Sequence, residues 1–454
     1  MSAPEHKASK GRHASWYVAA VMAVPAITFV WIVFGPRATD FAGGKRVTLA
    51  NYHEGDPTGV PPALEAASLV ERGEYLTRAA DCKACHTSTG GAPFAGARAF
   101  VLPFGTLYST NITPDAATGI GRYGDTDFLN AMRRGIGPDH TRLYPAMPYA
   151  SYTYMTDADA LAIKAYLLSL PPVHSPTPPN SLKFPFNQRV LMGVWSLLFN
   201  PDKRFEPDVE RGAAWNRGAY LVEALGHCGE CHTPRNLLQG LNNRKKFAGT
   251  VQAGWHAYNI TSDQTAGLGA WSNADVAQYL SSGHAEGHGT AAGPMGEAVD
   301  ASLSHLTRGD ISAVVTYLRS VPAVADADSP PLNAHAAPSS HSAGIDSKKY
   351  HTGKAVYESA CASCHGWSGV SPVMSFATLT GARAVNDPNA TNVSQIILSG
   401  AHRHVTGEVA NMPAFADSYS DYEIASVVNY VTARFGATPS ALTATQIANM
   451  RNNN

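Results

Sequence analysis

The chain is poor in charge and has no excess of either sign. Only 15% of its 454 residues are charged, and 34 basic residues meet 35 acidic ones. That balance argues against nucleic acid as a partner, because a nucleic-acid binder usually carries a basic surplus. Signature loops of other enzyme classes are also missing. No G-x-G-x-x-G opens a βαβ unit, and there is neither a P-loop nor a G-x-S-x-G. Cysteine is scarce, at six residues. After Phe34 no apolar run is long enough to cross a bilayer.

All six cysteines fall in three copies of one motif: Cys82-Lys83-Ala84-Cys85-His86, Cys228-Gly229-Glu230-Cys231-His232 and Cys361-Ala362-Ser363-Cys364-His365. C-x-x-C-H is the attachment signature of c-type haem. Two thiols three residues apart each bond one vinyl group of the same porphyrin, and the adjoining His supplies an axial nitrogen to the iron. Zinc sites pair two C-x-x-C units at short range, and a redox dithiol has no need of a following His. The motifs leave no cysteine for a disulfide, a free nucleophile or an iron–sulfur cluster. Three covalent haem c groups are expected, held by Cys82, Cys85, Cys228, Cys231, Cys361 and Cys364. His86, His232 and His365 are the expected axial ligands. With 40 Gly and 30 Pro the chain is loop-rich, which suits small domains built around a porphyrin.

Trp16 to Phe34 carries no charged residue. At about 1.5 Å per residue it spans about 28 Å, against a bilayer core of about 30 Å. Lys7, Lys10 and Arg12 precede it, opposed by Glu5 alone. The expectation is a retained transmembrane anchor over 16–34 in the cytoplasmic (inner) membrane. A cytoplasmic tail over 1–15 would precede it, and everything after Pro36 would lie on the periplasmic side. A cleaved signal would need a small-x-small site, and Gly35-Pro36-Arg37-Ala38-Thr39 is a poor one.

The body repeats. Arg72-Gly73-Glu74-Tyr75-Leu76, Arg217-Gly218-Ala219-Tyr220-Leu221 and Gly353-Lys354-Ala355-Val356-Tyr357 lead into the three motifs as short helices. Asn111-Ile112-Thr113-Pro114-Asp115 matches Asn259-Ile260-Thr261-Ser262-Asp263, and a helix follows each, over Asp127–Arg134 and Asp275–Ser282. Closing helices are expected over Asp157–Leu170, Arg308–Val321 and Ser420–Phe435. Asp159, Asp310 and Glu423 lie early in them, and Tyr166, Tyr317 and Tyr430 follow two turns later. A leading helix with C-x-x-C-H and a closing helix resemble the class I cytochrome c fold. The expected fold class is therefore mainly α: the N-terminal transmembrane helix, then three tandem class I cytochrome c domains over 66–175, 211–323 and 348–440. Linkers would cover 176–210 and 324–347, and a tail 441–454. Val190 to Phe199 fits no repeat and reads as a helix packed on its own domains, or as a dock for a membrane surface or a partner.

Each iron takes a sixth ligand or stays open for chemistry, and Met/His pairing is the electron-transfer choice. Met147, Met295 and Met412 recur between motif and closing helix, each expected in a Pro- or Gly-framed loop. His284, His288, His402 and His404 are the rival ligands. His227, just before Cys228, is a candidate tuning residue.

The segments Arg142-Leu143-Tyr144-Pro145-Ala146-Met147-Pro148-Tyr149 and Cys231-His232-Thr233-Pro234-Arg235-Asn236, with the anchor and three motifs, resemble the triheme cytochrome c subunit of the membrane-bound, quinone-reducing dehydrogenases of acetic acid bacteria. The likeness covers nearly all of the chain beyond residue 34. It implies an electron-transfer subunit that is no enzyme by itself, takes electrons from a catalytic dehydrogenase subunit and passes them to ubiquinone in the membrane. Phe184-Pro185-Phe186-Asn187-Gln188-Arg189 and Asn242-Asn243-Arg244-Lys245-Lys246-Phe247 look most like the cytochrome that accompanies molybdopterin aldehyde dehydrogenases. Those complexes also hold a small iron–sulfur subunit. Cytochromes of alcohol and gluconate dehydrogenases are similar but start with a clear cleavable signal, from which this chain departs. A stand-alone haem enzyme with one open iron is the competing reading.

Overall fold

Hydroxyl caps start the helices that close each repeat. Thr156, Thr307 and Ser420 accept the backbone N–H of Asp159, Asp310 and Glu423, so each early acid sits in the first turn, at the positive end of the dipole. A computed structural model describes Ala23 and residues 38–325, 348–405 and 408–452, with backbone alone at 404, 405, 408 and 409. Repeat one contains α1 (Leu69–Ala79), α2 (Asp125–Arg134) and α3 (Asp157–Ser169). The helix α4 (Val190–Phe199) stands between repeats. Repeat two contains α5 (Ala213–Tyr220), α6 (Asn273–Ser282), α7 (Gly293–Ala301) and α8 (Arg308–Ser320). Repeat three contains α9 (His351–Val356), α10 (Thr391–Ser399) and α11 (Asp421–Phe435), followed by α12 (Ala444–Asn452).

In every repeat the leading helix crosses the closing helix at a glycine. A Cβ on Gly73, Gly218 or Gly353 would overlap the carbonyl oxygen of Ala162, Ala313 or Ser426. It would also stand 2.9, 2.8 and 2.8 Å from the Cβ of Tyr166, Tyr317 and Tyr430. The glycine in each leading stretch and the tyrosine in each closing helix are thus two halves of one contact.

Repeats one and two share a single core that runs from Tyr75 and Leu76 through Ile163 to Tyr220, Leu225 and Tyr317. Their polar contacts are reciprocal. The Tyr75 hydroxyl donates to Asp310 at 2.6 Å, and the Tyr220 hydroxyl donates to Asp159 at 2.5 Å. Repeat three has its own core around Tyr357, Ile424 and Val428. Its Glu423 only caps its helix with Ser420. Repeat three nonetheless sits on repeat two: Arg403 pairs with Asp300 at 2.8 Å, and Asp387 with His256 at 2.9 Å. The expected linker over 324–347 lies mostly outside the described residues.

Short antiparallel hairpins break the helical pattern. Ala99–Leu102 pairs with Gly105–Tyr108, which also pairs with Ser181–Leu182; Thr250–Gln252 pairs with Trp255–Ala257, His284–Ala285 with Gly289–Thr290, and Ala401–Val405 with Glu408–Met412. Strands this short carry too little period-two alternation to be read from sequence.

The membrane expectation is corrected. Among the described residues no helix is long and apolar enough to cross a membrane. The N-terminal transmembrane helix, and the placement at the inner membrane by a single anchor that rested on it, are therefore not supported. Apart from Ala23, residues 16–34 lie outside the described residues. Apolar composition alone suggested the span, and composition does not establish a spanning helix.

Candidate haem centres

Each motif folds as a single helical turn: Cys82–Cys85, Gly229–His232 and Ala362–His365. The backbone enters the first two turns through a left-handed residue, Asp81 at φ 52° and His227 at φ 38°. Such a conformation is uncommon outside glycine, and its recurrence at the same position gives the first two motifs a matched entry. All six cysteines are free of disulfides. Burial pushes the thiols of Cys85 and Cys228 up to about 12, and those of Cys231 and Cys361 up to about 11. They are protonated rather than activated as thiolate nucleophiles.

The three histidines share one arrangement. Nδ1 of His86, His232 and His365 lies 2.7, 2.6 and 2.6 Å from the carbonyl oxygens of Thr110, Tyr258 and Ala377. Donation from Nδ1 fixes the tautomer and leaves the Nε2 lone pair for a metal. Burial lowers all three pKa values, that of His232 to about 4, so the rings are neutral at pH 7. Arg383 and His256 add to the lowering at His232. Free paired thiols on one turn, beside a neutral imidazole with Nε2 open, suit covalent haem.

Sequence reading missed the acceptor carbonyls, although a signal was present. Thr110 and Tyr258 stand immediately before the repeated Asn-Ile-Thr segments. Asn111 and Asn259 hold those segments in shape, since each side-chain oxygen accepts the N–H two residues on, at Thr113 and Thr261. The repeat therefore marks the support of the axial histidine.

The methionines differ in setting. Met147 lies in a loop against the shared core that contains Cys82. Met412 ends the strand Glu408–Met412, opposite Ala401. Met295 lies inside α7 rather than in a loop, because Pro294 sits in the first turn, where proline favours a helix. All three are half-buried. Of the rival histidines, His284 Nδ1 lies 2.9 Å from Thr290 Oγ1, while His288 stacks on Trp271 at 3.7 Å and its Nε2 lies 3.6 Å from Asp275. His402 is exposed, and the side chain of His404 lies outside the described residues.

The first two motifs lie against each other. Tyr152 from repeat one donates to the Ala80 carbonyl at 2.5 Å and meets the His227 ring edge-on at 5.5 Å. Ser151 donates to Glu230 at 3.0 Å, inside the second motif. Repeat three reaches the second centre by another route. Arg383 stacks over Tyr258 at 4.3 Å, and the Tyr258 carbonyl is the one that holds His232.

Repeated C-x-x-C-H turns clamped between paired helices define a c-type cytochrome. Family models agree: residues 70–171 match cytochrome c, and residues 348–431 match cytochrome c oxidase, cbb3-type, subunit III. The chain is 41% identical to the fructose dehydrogenase cytochrome subunit of Gluconobacter japonicus, over 87% of this chain and 85% of that protein. It is 37% identical to the gluconate 2-dehydrogenase cytochrome c subunit of Pantoea cypripedii, over 85% and 90%. It is also 40% identical to one of the subunits of nicotinate dehydrogenase from Pseudomonas putida, over 83% of this chain but 31% of that protein. The chain belongs to the family of cytochrome c subunits of the dehydrogenases of acetic acid bacteria and their relatives, and is an electron-transfer subunit.

Proposed function

We propose that the chain is a three-haem relay that takes electrons from a catalytic dehydrogenase subunit and delivers them to ubiquinone. Cys82 with Cys85, Cys228 with Cys231, and Cys361 with Cys364 each hold one haem c. His86, His232 and His365 would each ligate one iron, with Met147, Met295 and Met412 as the second protein ligands. The haem, when bound, supplies a one-electron couple, and Met/His ligation raises its potential. The domains of the relay are 66–175, 211–323 and 348–440.

The protein's own residues orient and connect. Thr110, Tyr258 and Ala377 orient the axial rings. Tyr152, His227 and Ser151 hold the first two centres together, while Arg383 and Asp387 dock the third unit on the second. The observation that carries the reading is the identical Nδ1–carbonyl bond at all three histidines. Electrons enter from a subunit that oxidises a small organic substrate. The resemblance puts an aldehyde first, oxidised at a molybdopterin centre with a small iron–sulfur subunit, and an alcohol or gluconate next. The test is gentle purification of the native protein. Dehydrogenase subunits should co-purify, and adding their substrate should reduce the haems and then ubiquinone. A cytochrome that runs alone overturns the proposal.

A further inference from the structure

A cavity of about 690 Å³ lies between α4 and the second motif. Gly229 and Glu230 line it, whereas Cys228, Cys231, His232 and Met295 do not. It is therefore a separate space behind the turn that carries the second haem. Its opposite wall is α4, through Gly193, Trp195, Leu197 and Phe199.

The charges around this cavity are mostly paired. Lys246 meets Glu223 at 2.5 Å, Arg235 meets Glu230 at 2.7 Å, and Arg134 meets Asp202 at 3.4 Å. With three of the cavity's cationic side chains met by carboxylates, its remaining polar capacity suits a guest that brings acceptor oxygens. Two donors among the described residues can serve it. The half-buried Arg142 guanidinium pairs with no carboxylate among the described residues, and Asn236 uses its side-chain oxygen for Leu238 and Gly240, leaving its amide N–H groups to donate. The aromatic wall is fixed, because Trp195 Nε1 donates to the Leu238 carbonyl at 2.9 Å and its ring meets Tyr149 edge-on at 5.8 Å. Leu197 lines the cavity and is 80% exposed, in line with Val194 and Val190 one and two turns back along α4. An apolar track thus leads from the cavity to the surface.

We propose that this cavity is the quinone-reduction site, with the flat ring of a p-quinone between Trp195 and the Gly229–Glu230 turn. Its carbonyl oxygens accept from Arg142 and Asn236, and its isoprenoid tail follows Leu197, Val194 and Val190. This rests on the relay reading above and names the site of its last step. The quinone would gain two electrons, which a haem held by Cys228 and Cys231 would supply one at a time, and two protons from water. One quinol forms for two ferrous equivalents oxidised.

Two variants of the holoprotein test the site. Gly193→Leu fills the cavity, since a Cβ at Gly193 already stands 3.6 Å from Arg142 Nε. Arg142→Met removes the donor without adding bulk, and so keeps the test alive if the first variant misfolds. Stopped-flow reoxidation of the reduced haems by decylubiquinone should slow at least tenfold in each, with reoxidation by ferricyanide unchanged. An azido-quinone photolabel, competed by decylubiquinone, should be recovered in residues 190–200 or 229–244. Wild-type rates in both variants, or labelling elsewhere, overturn the site. A wild-type protein that decylubiquinone cannot reoxidise overturns the relay to quinone, and the site with it.

Discussion

Replacing Asp310 by Ala removes a buried carboxylate that pairs with Arg217 inside repeat two and accepts from Tyr75 of repeat one. Asp310 is 3% exposed and accepts from the Tyr75 hydroxyl at 2.6 Å and from Arg217 at 2.8 and 2.7 Å. Burial opposes the Arg217 charge, but the hydrogen bonds and charge of Asp310, with smaller contributions from Tyr75 and Tyr220, together hold the guanidinium above its ordinary range. Removing the carboxylate leaves that buried charge without its counterion, and Arg217 keeps only the carbonyls of Pro57 and Gly59. Breaking one partner of a buried pair costs about 3–5 kcal/mol. At roughly 2–4 °C per kcal/mol for a unit of this size, the melting midpoint of the first two repeats should fall by roughly 6–20 °C. The assay is thermal unfolding followed by circular dichroism, with the Asp310→Leu, Arg217→Met double variant as comparison. An apolar replacement of the whole pair should recover most of the loss, because both desolvation costs disappear together. A single variant within about 2 °C of wild type would show that the buried pair does not support the shared core, as would a double variant no better than the single one.

Gly218→Ala should lower stability by about 1–3 kcal/mol, because the new methyl overlaps the Ala313 carbonyl and crowds Tyr317; thermal unfolding measures it. On the proposed ligation, Met295→Ala should open one haem to carbon monoxide or cyanide, and an unchanged low-spin spectrum with no added ligand binding would remove Met295 as a ligand. Arg383→Ala takes a positive charge from the Tyr258 ring, above the carbonyl that holds His232. One midpoint potential should fall by about 30–60 mV in a redox titration, at about 59 mV per tenfold change in a one-electron couple, while Arg383→Lys restores part of it. Equal shifts at all three haems would point to general loosening instead.

The parts of the site that lie within one turn of the chain were readable in the sequence. Two thiols and a histidine in five residues need no tertiary information, and neither does an acid placed three residues after a Thr or Ser cap. The closing helices accordingly fall within a residue of their expected bounds. Contacts between repeats were hidden. Tyr75 and Asp310 are 235 positions apart, and nothing local marks them as partners. Arg383 and Asp387 likewise act on Tyr258 and His256 across a long gap. Met295 resembled the other methionines in its Pro and Gly neighbours, yet a proline in a first turn starts a helix as readily as it shapes a loop. The stretch 190–199 read as a helix packed on its own domains. It is a helix, but none of its residues is buried. Its apolar composition did not reveal which face would stay open.

The relay depends above all on three cofactors being attached to one chain. Intact-protein mass spectrometry of the native protein, with peptide mapping, measures that attachment without intermediaries. The expected mass is that of the chain plus three haems, with Cys82, Cys85, Cys228, Cys231, Cys361 and Cys364 all in thioether linkage. A mature chain with two haems or fewer, and an unmodified motif peptide, would contradict it.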